Sequence, residues 1–240
     1  MKHIYQDILD SISKKKKLLA VLIDPDKMRP EDLSNFMMKM NASKTTHIFV
    51  GGSTVEAGET ESLVTEIRKH ADLPIIIFPG DVNQITESAY ALLFLSLISG
   101  RNPDYLIGKH VEAVSKLRAT NLEVIPTGYI LIENGKETSV QKISGTIPMS
   151  RKNVQEIIDT AKAGELLGMK LIYLEAGSGA KHPINSEIIQ VVKEDINIPL
   201  IVGGGIRSKT QLHKAYKAGA DIVVIGTAFE DDESFFNDLE

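Results

Sequence analysis

The segment Tyr173-Leu174-Glu175-Ala176-Gly177-Ser178-Gly179 sets a phenol and a carboxylate two residues apart, directly ahead of a glycine-rich turn. Side chains of an extended chain alternate between faces, so Tyr173 and Glu175 share one face and Leu174 takes the other. A glutamate in an apolar run needs solvent or a partner, because burying an unpaired charge is costly. The position suits a group that accepts a proton or binds a hydroxyl, with Tyr173 as a hydrogen-bond donor. Two further glycine turns follow apolar runs: Gly203-Gly204-Gly205 after Leu200-Ile201-Val202, and Gly226-Thr227 after Ile222-Val223-Val224-Ile225. Backbone N–H groups at such turns, each leading toward a helix start, can cradle an anion such as phosphate. The same glycines would also serve two tight loops that hold nothing. Asp24, in Ile23-Asp24-Pro25-Asp26-Lys27, is forced into an extended backbone by the following proline. Facing a phosphate grip, its carboxylate would suit Mg²⁺, which takes one or two carboxylates together with substrate phosphate oxygens; Asp24 or Asp26 could equally cap the next helix. Ser53, in Gly51-Gly52-Ser53, is a second oxygen ligand or a helix cap on the same reasoning.

Composition narrows what these groups can be used for. The net charge of −5 argues against general nucleic-acid binding and leaves any anion to be attracted locally, by N–H groups, a metal ion or a lysine. With no cysteine in the chain, disulfides, thiolate metal sites and cysteine nucleophiles are excluded. The longest apolar run, residues 91–98, is strand-sized, far from the roughly 20 residues that cross a bilayer. The first ten residues lack the apolar core of a signal peptide, so the cytoplasm is the expected location. Lys14 to Lys17 form the only basic run, expected as a solvated turn, with peripheral contact to an acidic membrane surface as the lesser alternative. His47, His70, His182 and His213 show no metal-ligand spacing and are expected to be structural or surface groups. Lys109 and His110 are expected to face solvent in mid-helix, and Asp81 to be an ordinary turn residue.

The elements that must position the carboxylates and turns are short apolar strands alternating with helices. Strands are expected at residues 19–23, 48–50, 75–78, 92–97, 123–125 extending toward 132, 171–174, 200–202 and 222–225. Helix-compatible stretches lie at 30–40, 56–70, 103–119, 154–167 and 184–193. This alternation implies parallel strands with crossover helices, here a (β/α)8 TIM barrel in one domain over residues 1–240. In such a barrel functional groups stand at the C-terminal strand ends, where Asp24, Ser53, Glu175 and the glycine turns all fall. The interval PGDVNQITESAYA, residues 79–91, holds a turn and little more, so the third crossover helix is short or missing. A barrel lacking that helix would expose an apolar groove beside strands 3 and 4. Leu93, Phe94, Leu97, Ile98 and Tyr105 are candidates for that groove, for a subunit interface, or for ordinary core. Residues 133–149 form a long polar stretch after strand 5, read as a mobile loop or a partner contact.

Taken together, LIDPDK at 22–27, FVGGS at 49–53, FPG at 78–80, IPTGYILIE at 125–133, YLEAGSG at 173–179, VGGGIRS at 202–208 and IGTA at 225–228 resemble the geranylgeranylglyceryl phosphate synthase family, in particular its bacterial branch. The resemblance implies a modified TIM barrel without its third crossover helix. It also implies Mg²⁺-dependent transfer of a geranylgeranyl group from its diphosphate to the C3 hydroxyl of sn-glycerol 1-phosphate, a step in ether-lipid synthesis that releases diphosphate. Carried over residue by residue, Asp24 and Ser53 would bind Mg²⁺. Tyr173, Leu174, Glu175, Ala176, Gly177, Ser178 and Gly179, with Gly204, Gly205, Gly226 and Thr227, would hold glycerol phosphate. Glu175, with Tyr173 beside it, would orient or deprotonate the hydroxyl. Ala176 departs from archaeal members, which often carry an aromatic residue there. The resemblance further implies a homo-oligomer, dimer or hexamer. Other readings stay open at this point: a longer donor such as heptaprenyl diphosphate, an isomerase or lyase of a phosphorylated sugar or amine on the same barrel, or a non-catalytic phosphate-ligand sensor.

Overall fold

The computed structural model describes residues 3–226 and 228–229; Thr227, part of the expected anion grip, lies outside the described residues. Eight parallel strands close into a barrel in sequence order, each hydrogen-bonded to the next and β8 returning to β1. They are β1 (Leu18–Ile23), β2 (His47–Val50), β3 (Ile75–Ile77), β4 (Ala91–Leu97), β5 (Glu123–Leu131), β6 (Leu171–Glu175), β7 (Leu200–Gly203) and β8 (Ile222–Ile225). Around them run α2 (Pro30–Ala42), α3 (Glu59–Ile67), α4 (Lys109–Leu117), α5 (Ser139–Ser144), α6 (Val154–Leu166), α7 (Ser186–Asp195) and α8 (Lys209–Ala218), with α1 (Ile4–Ser13) ahead of β1. Local sequence explains several boundaries. Pro30 opens α2 with Glu31 and Asp32 in its first turn, favourable against the helix dipole. At the other end of the chain, Ser208 caps α8 by accepting the Gln211 N–H at 3.2 Å, and Gly219 ends that helix in a left-handed conformation.

Strand alternation divides the core into two layers. Phe49, Ile76, Leu93, Ile125, Tyr129, Tyr173, Ile201 and Val224 fill the barrel, while Ile48, Ile77, Leu92, Ile130, Ile172, Leu174, Val202 and Val223 face the helices. The bottom of the barrel is stoppered by α1, whose Ile4 and Ile8 are buried against the inner layer. The first N–H groups of α1 have no cap of their own sequence. They donate instead to the Glu123 carboxylate at the start of β5, from Ile4 at 2.5 Å and Tyr5 at 3.1 Å, a negative charge at the positive end of the helix.

The third crossover is reduced to one 3₁₀ turn, Val82–Gln84, capped by the Asp81 carboxylate. α4 leans into the space left by the missing helix. Lys109 Nζ reaches both Asp81 oxygens at 3.1 Å, and Lys116 Nζ reaches the Val82 carbonyl at 3.1 Å. This corrects two expectations. His110 does not face solvent: it is buried edge-on against the Phe94 ring, centroids 4.4 Å apart, because α4 covers β4 directly. Lys109 is half-buried and fixed to Asp81, which is therefore a cap and a salt-bridge partner rather than a bare turn residue. A wide π turn, Asp104–Gly108, leads into α4 where a continuous helix was expected. The 133–149 stretch is no open loop. It carries α5, capped by Thr138, and closes on itself through hydrogen bonds between Met149 and Leu131 and between Glu133 and Met149. Among the described residues no helix is long and apolar enough to cross a membrane.

Candidate active site

A cavity of about 210 Å³ opens at the C-terminal ends of the strands and continues toward the missing crossover. Its lining includes Asp24, Gly52 and Ser53 together with Tyr173, Glu175, Gly177, Ser178, Gly204, Gly205 and Gly226. The structure thus brings together the described residues singled out in the sequence, apart from Leu174, Ala176 and Gly179, which stand behind the lining.

Glu175 ends β6 and points into the barrel in register with Leu131 on one side and Gly203 on the other. Only 6% of it is exposed. Burial pushes its carboxyl up from 4.5 to about 7, partly offset by the Gly177 N–H, which donates to Oε1 at 2.5 Å, and by the Tyr173 hydroxyl nearby. A carboxyl balanced near neutrality can hold a proton or take one at working pH. The same hydrogen bond corrects one expectation: the Gly177 N–H serves the carboxylate and is not available to an anion. Tyr173 is fully buried and, among the described residues, its hydroxyl has no hydrogen-bond partner of adequate geometry, although it stands beside the carboxylate. Burial and the Glu175 charge both push that phenol well above its usual range, so it stays protonated. A buried donor left unmatched within the protein is costly, and a ligand oxygen would match it.

Gly204 stands against Glu175. Its φ of +83° is the left-handed region, and a Cβ there would collide with Glu175 Oε1 and lie 2.7 Å from the Gly177 nitrogen. The turns after β6 and β7 therefore touch, with only glycine thin enough to let them do so. Arg207, just beyond, donates to the Ala180 carbonyl at 2.7 Å and ties the same two turns together. Asp24 lies against Gly52, its Oδ1 2.5 Å from where a Cβ of residue 52 would stand. It accepts the Asp26 N–H at 3.2 Å and pairs with Lys27 at 3.5 Å, while remaining partly open to the cavity. Asp24 and Ser53 thus present hard oxygen donors to one space. Among the described residues no group of three acidic or histidine side chains could hold a metal alone. A cation at Asp24 and Ser53 would need further oxygens from a bound phosphate, a donor set that fits Mg²⁺.

From this polar mouth the cavity turns apolar. Phe78 stacks on Phe49 and meets Tyr129 and Tyr173 at 6.0 and 5.4 Å, and Tyr129 meets Tyr173 at 5.3 Å, so an aromatic cluster lies against the carboxylate. Beyond it Leu92, Phe94, Leu95, Tyr105, His110 and Ala113 line a channel between β4 and α4. Leu93, Phe94, Leu97 and Tyr105 line the cavity as the groove reading expected. Ile98 does not: it packs outward, its Cδ1 filling the space beside Gly128 and Gly164. Sequence reasoning missed Tyr129 and His110 as lining residues. Tyr129 was legible in principle, since β5 alternation places it inward with Ile125; His110 was not, because nothing local shows that α4 leans over β4.

Residues 10–239 match the PcrB family. The geranylgeranylglyceryl phosphate synthase of Flavobacterium johnsoniae is 55% identical over 98% of this chain and 96% of that protein. The protein of the same name from Pyrococcus furiosus is 42% identical over 90% of this chain and 86% of its own length. Among solved structures, (S)-3-O-geranylgeranylglyceryl phosphate synthase from Thermoplasma acidophilum in complex with substrate sn-glycerol-1-phosphate superposes with a TM-score of 0.92, at 29% identity, covering 100% of this chain and 96% of that one.

Proposed function

We propose the following function on the premise that this chain belongs to the PcrB family. The chain is a prenyltransferase acting on glycerol phosphate. In finer detail, it transfers a geranylgeranyl group from geranylgeranyl diphosphate to the C3 hydroxyl of sn-glycerol 1-phosphate with Mg²⁺, releasing diphosphate. The observation that carries this reading is the cavity itself, in which a neutralisable buried carboxyl stands between a glycine-walled polar mouth and an apolar channel.

The acceptor phosphate is assigned to the turns after β6, β7 and β8, where Ser178, Gly204, Gly205 and Gly226 line the mouth. Its hydroxyl then lies beside Glu175 and the unmatched Tyr173 hydroxyl, held in orientation for attack. The tail of the donor occupies the channel between β4 and α4, with its diphosphate toward Asp24 and Ser53. Mg²⁺ bound there would neutralise charge on the leaving diphosphate. As the C1–O bond of the donor breaks, its electron pair leaves with diphosphate. The acceptor oxygen bonds to C1 and its proton passes to Glu175. Phe78, Tyr129 and Tyr173 keep water away from the reacting carbon. Geranylgeranyl is favoured over a heptaprenyl donor by the relatives' names; an isomerase or sensor has no use for the channel. Diphosphate release should require both a prenyl diphosphate and glycerol phosphate. Release at the same rate without the acceptor would overturn the assignment.

A further inference from the structure

The mouth of the cavity must hold a phosphate dianion, yet the whole chain carries a net charge of −5. Its lining includes three cationic side chains, and each is already engaged. Lys27 pairs with Asp24 and Lys109 pairs with Asp81 and Glu112, while Arg207 gives one N–H to the Ala180 carbonyl and keeps its charge. A fourth cation stands just behind the turn. Lys136 Nζ, on an exposed residue, lies 2.7 Å from where a Cβ of Gly179 would be, against a glycine with φ of +64°. No ion pair or hydrogen bond engages that ammonium among the described residues.

The position of Lys136 is held by its own segment. The Asn134 side chain donates to the Ala176 carbonyl and accepts the Lys136 N–H at 3.0 Å, a local turn that needs Gly135 at φ of +90°. Thr138, two residues on, sits over Gly177 and caps α5. Asn134 and Thr138 are both buried. The stretch from 134 to 138 is therefore strapped onto the Ala176–Gly179 turn at both ends, with the ammonium carried between them. Backbone N–H groups supply directional bonds to a phosphate; a lysine supplies the point charge those dipoles lack.

We infer that Lys136, held on the Gly177–Gly179 turn by the Asn134–Thr138 strap, is a cation that helps to neutralise the acceptor's phosphate and so favours a phosphorylated over an unphosphorylated acceptor. The inference rests on the acceptor reading given above. Calorimetric titration of the protein with sn-glycerol 1-phosphate, without any prenyl donor, tests it directly. Wild-type protein should bind. Lys136→Gln should weaken binding about fivefold or more, within the range of a partly screened charge pair. Lys136→Arg should restore most of it, and raising the salt concentration should weaken wild type more than Lys136→Gln. In turnover the Gln variant should raise KM for the acceptor while leaving kcat, KM for the donor and Tm nearly unchanged. Equal binding by wild type and Lys136→Gln would refute the role of the lysine. Equal losses in Gln and Arg variants, or a large fall in Tm, would show a structural strap only. Failure of wild type to bind glycerol phosphate would instead refute the acceptor reading itself.

Discussion

Replacing Glu175 with glutamine should make the protein more stable and nearly inactive, with the stability gain growing as pH rises. The carboxyl is raised in the fold from 4.5 to about 7, burial being the main cause. Below pH 4.5 it is protonated in both folded and unfolded chains, and its ionisation costs nothing. Between 4.5 and 7 the folded state holds a proton that the unfolded state has lost, so stability falls as pH rises through that window. Above 7 the folded carboxyl ionises too and the full cost is present, about 3 kcal/mol at about 1.4 kcal/mol per tenfold in the proton equilibrium. Glutamine has the same shape and never pays this. The stability difference between variant and wild type should therefore change by about 2.5 kcal/mol between pH 5 and pH 8. For a domain of this length that is roughly 5–10 °C in the difference of Tm values. Thermal unfolding of both proteins at the two pH values measures it. Turnover should fall at least about 100-fold, as for loss of a general base. The acceptor's own phosphate ionises near pH 6, so the stability arm is the cleaner one. A Tm difference that is the same at pH 5 and pH 8 would refute the reasoning, because the carboxylate would then be as well solvated in the fold as outside it.

Two other substitutions test the geometry around it. Gly204→Ala should cost about 1–3 kcal/mol from its left-handed backbone alone and displace Glu175, lowering both Tm and kcat. Gly226→Ala is the control: among the described residues other than its chain neighbours, none would lie closer than 3.4 Å to its Cβ, and Tm should move little. Asp24→Asn should raise the Mg²⁺ concentration for half-maximal activity about tenfold or more, while the partly exposed pair with Lys27 contributes at most about 1 kcal/mol to stability; an unchanged Mg²⁺ titration removes Asp24 from the metal site.

What could be foreseen in the sequence was set by strand periodicity and by glycine. Tyr173 and Glu175 had to share a face, and Gly204 had to mark a close approach, because both follow from the backbone alone. The reduced third crossover was legible because residues 79–91 are too few for a strand connection with a full helix, and the turn Val82–Gln84 is what fits. What escaped was tertiary. His110 is buried because α4 leans into the space vacated by a helix elsewhere in the chain, and its neighbours in sequence carry no trace of that. Ile98 follows β4 and points outward to the glycines of β5 and α6, a contact set by how those elements pack. Lys136 lay within a polar stretch with no periodicity to read, and its place over Gly179 depends on the buried side chains of Asn134 and Thr138.

The most direct measurement incubates the protein with Mg²⁺, either sn-glycerol 1-phosphate or its sn-3 enantiomer, and prenyl diphosphates of graded length, with products identified by mass spectrometry. The account predicts a single ether product from the sn-1 acceptor, strongest with the geranylgeranyl donor, and little or none from the enantiomer. No prenylated product at any donor length, with glycerol phosphate still bound, would contradict it.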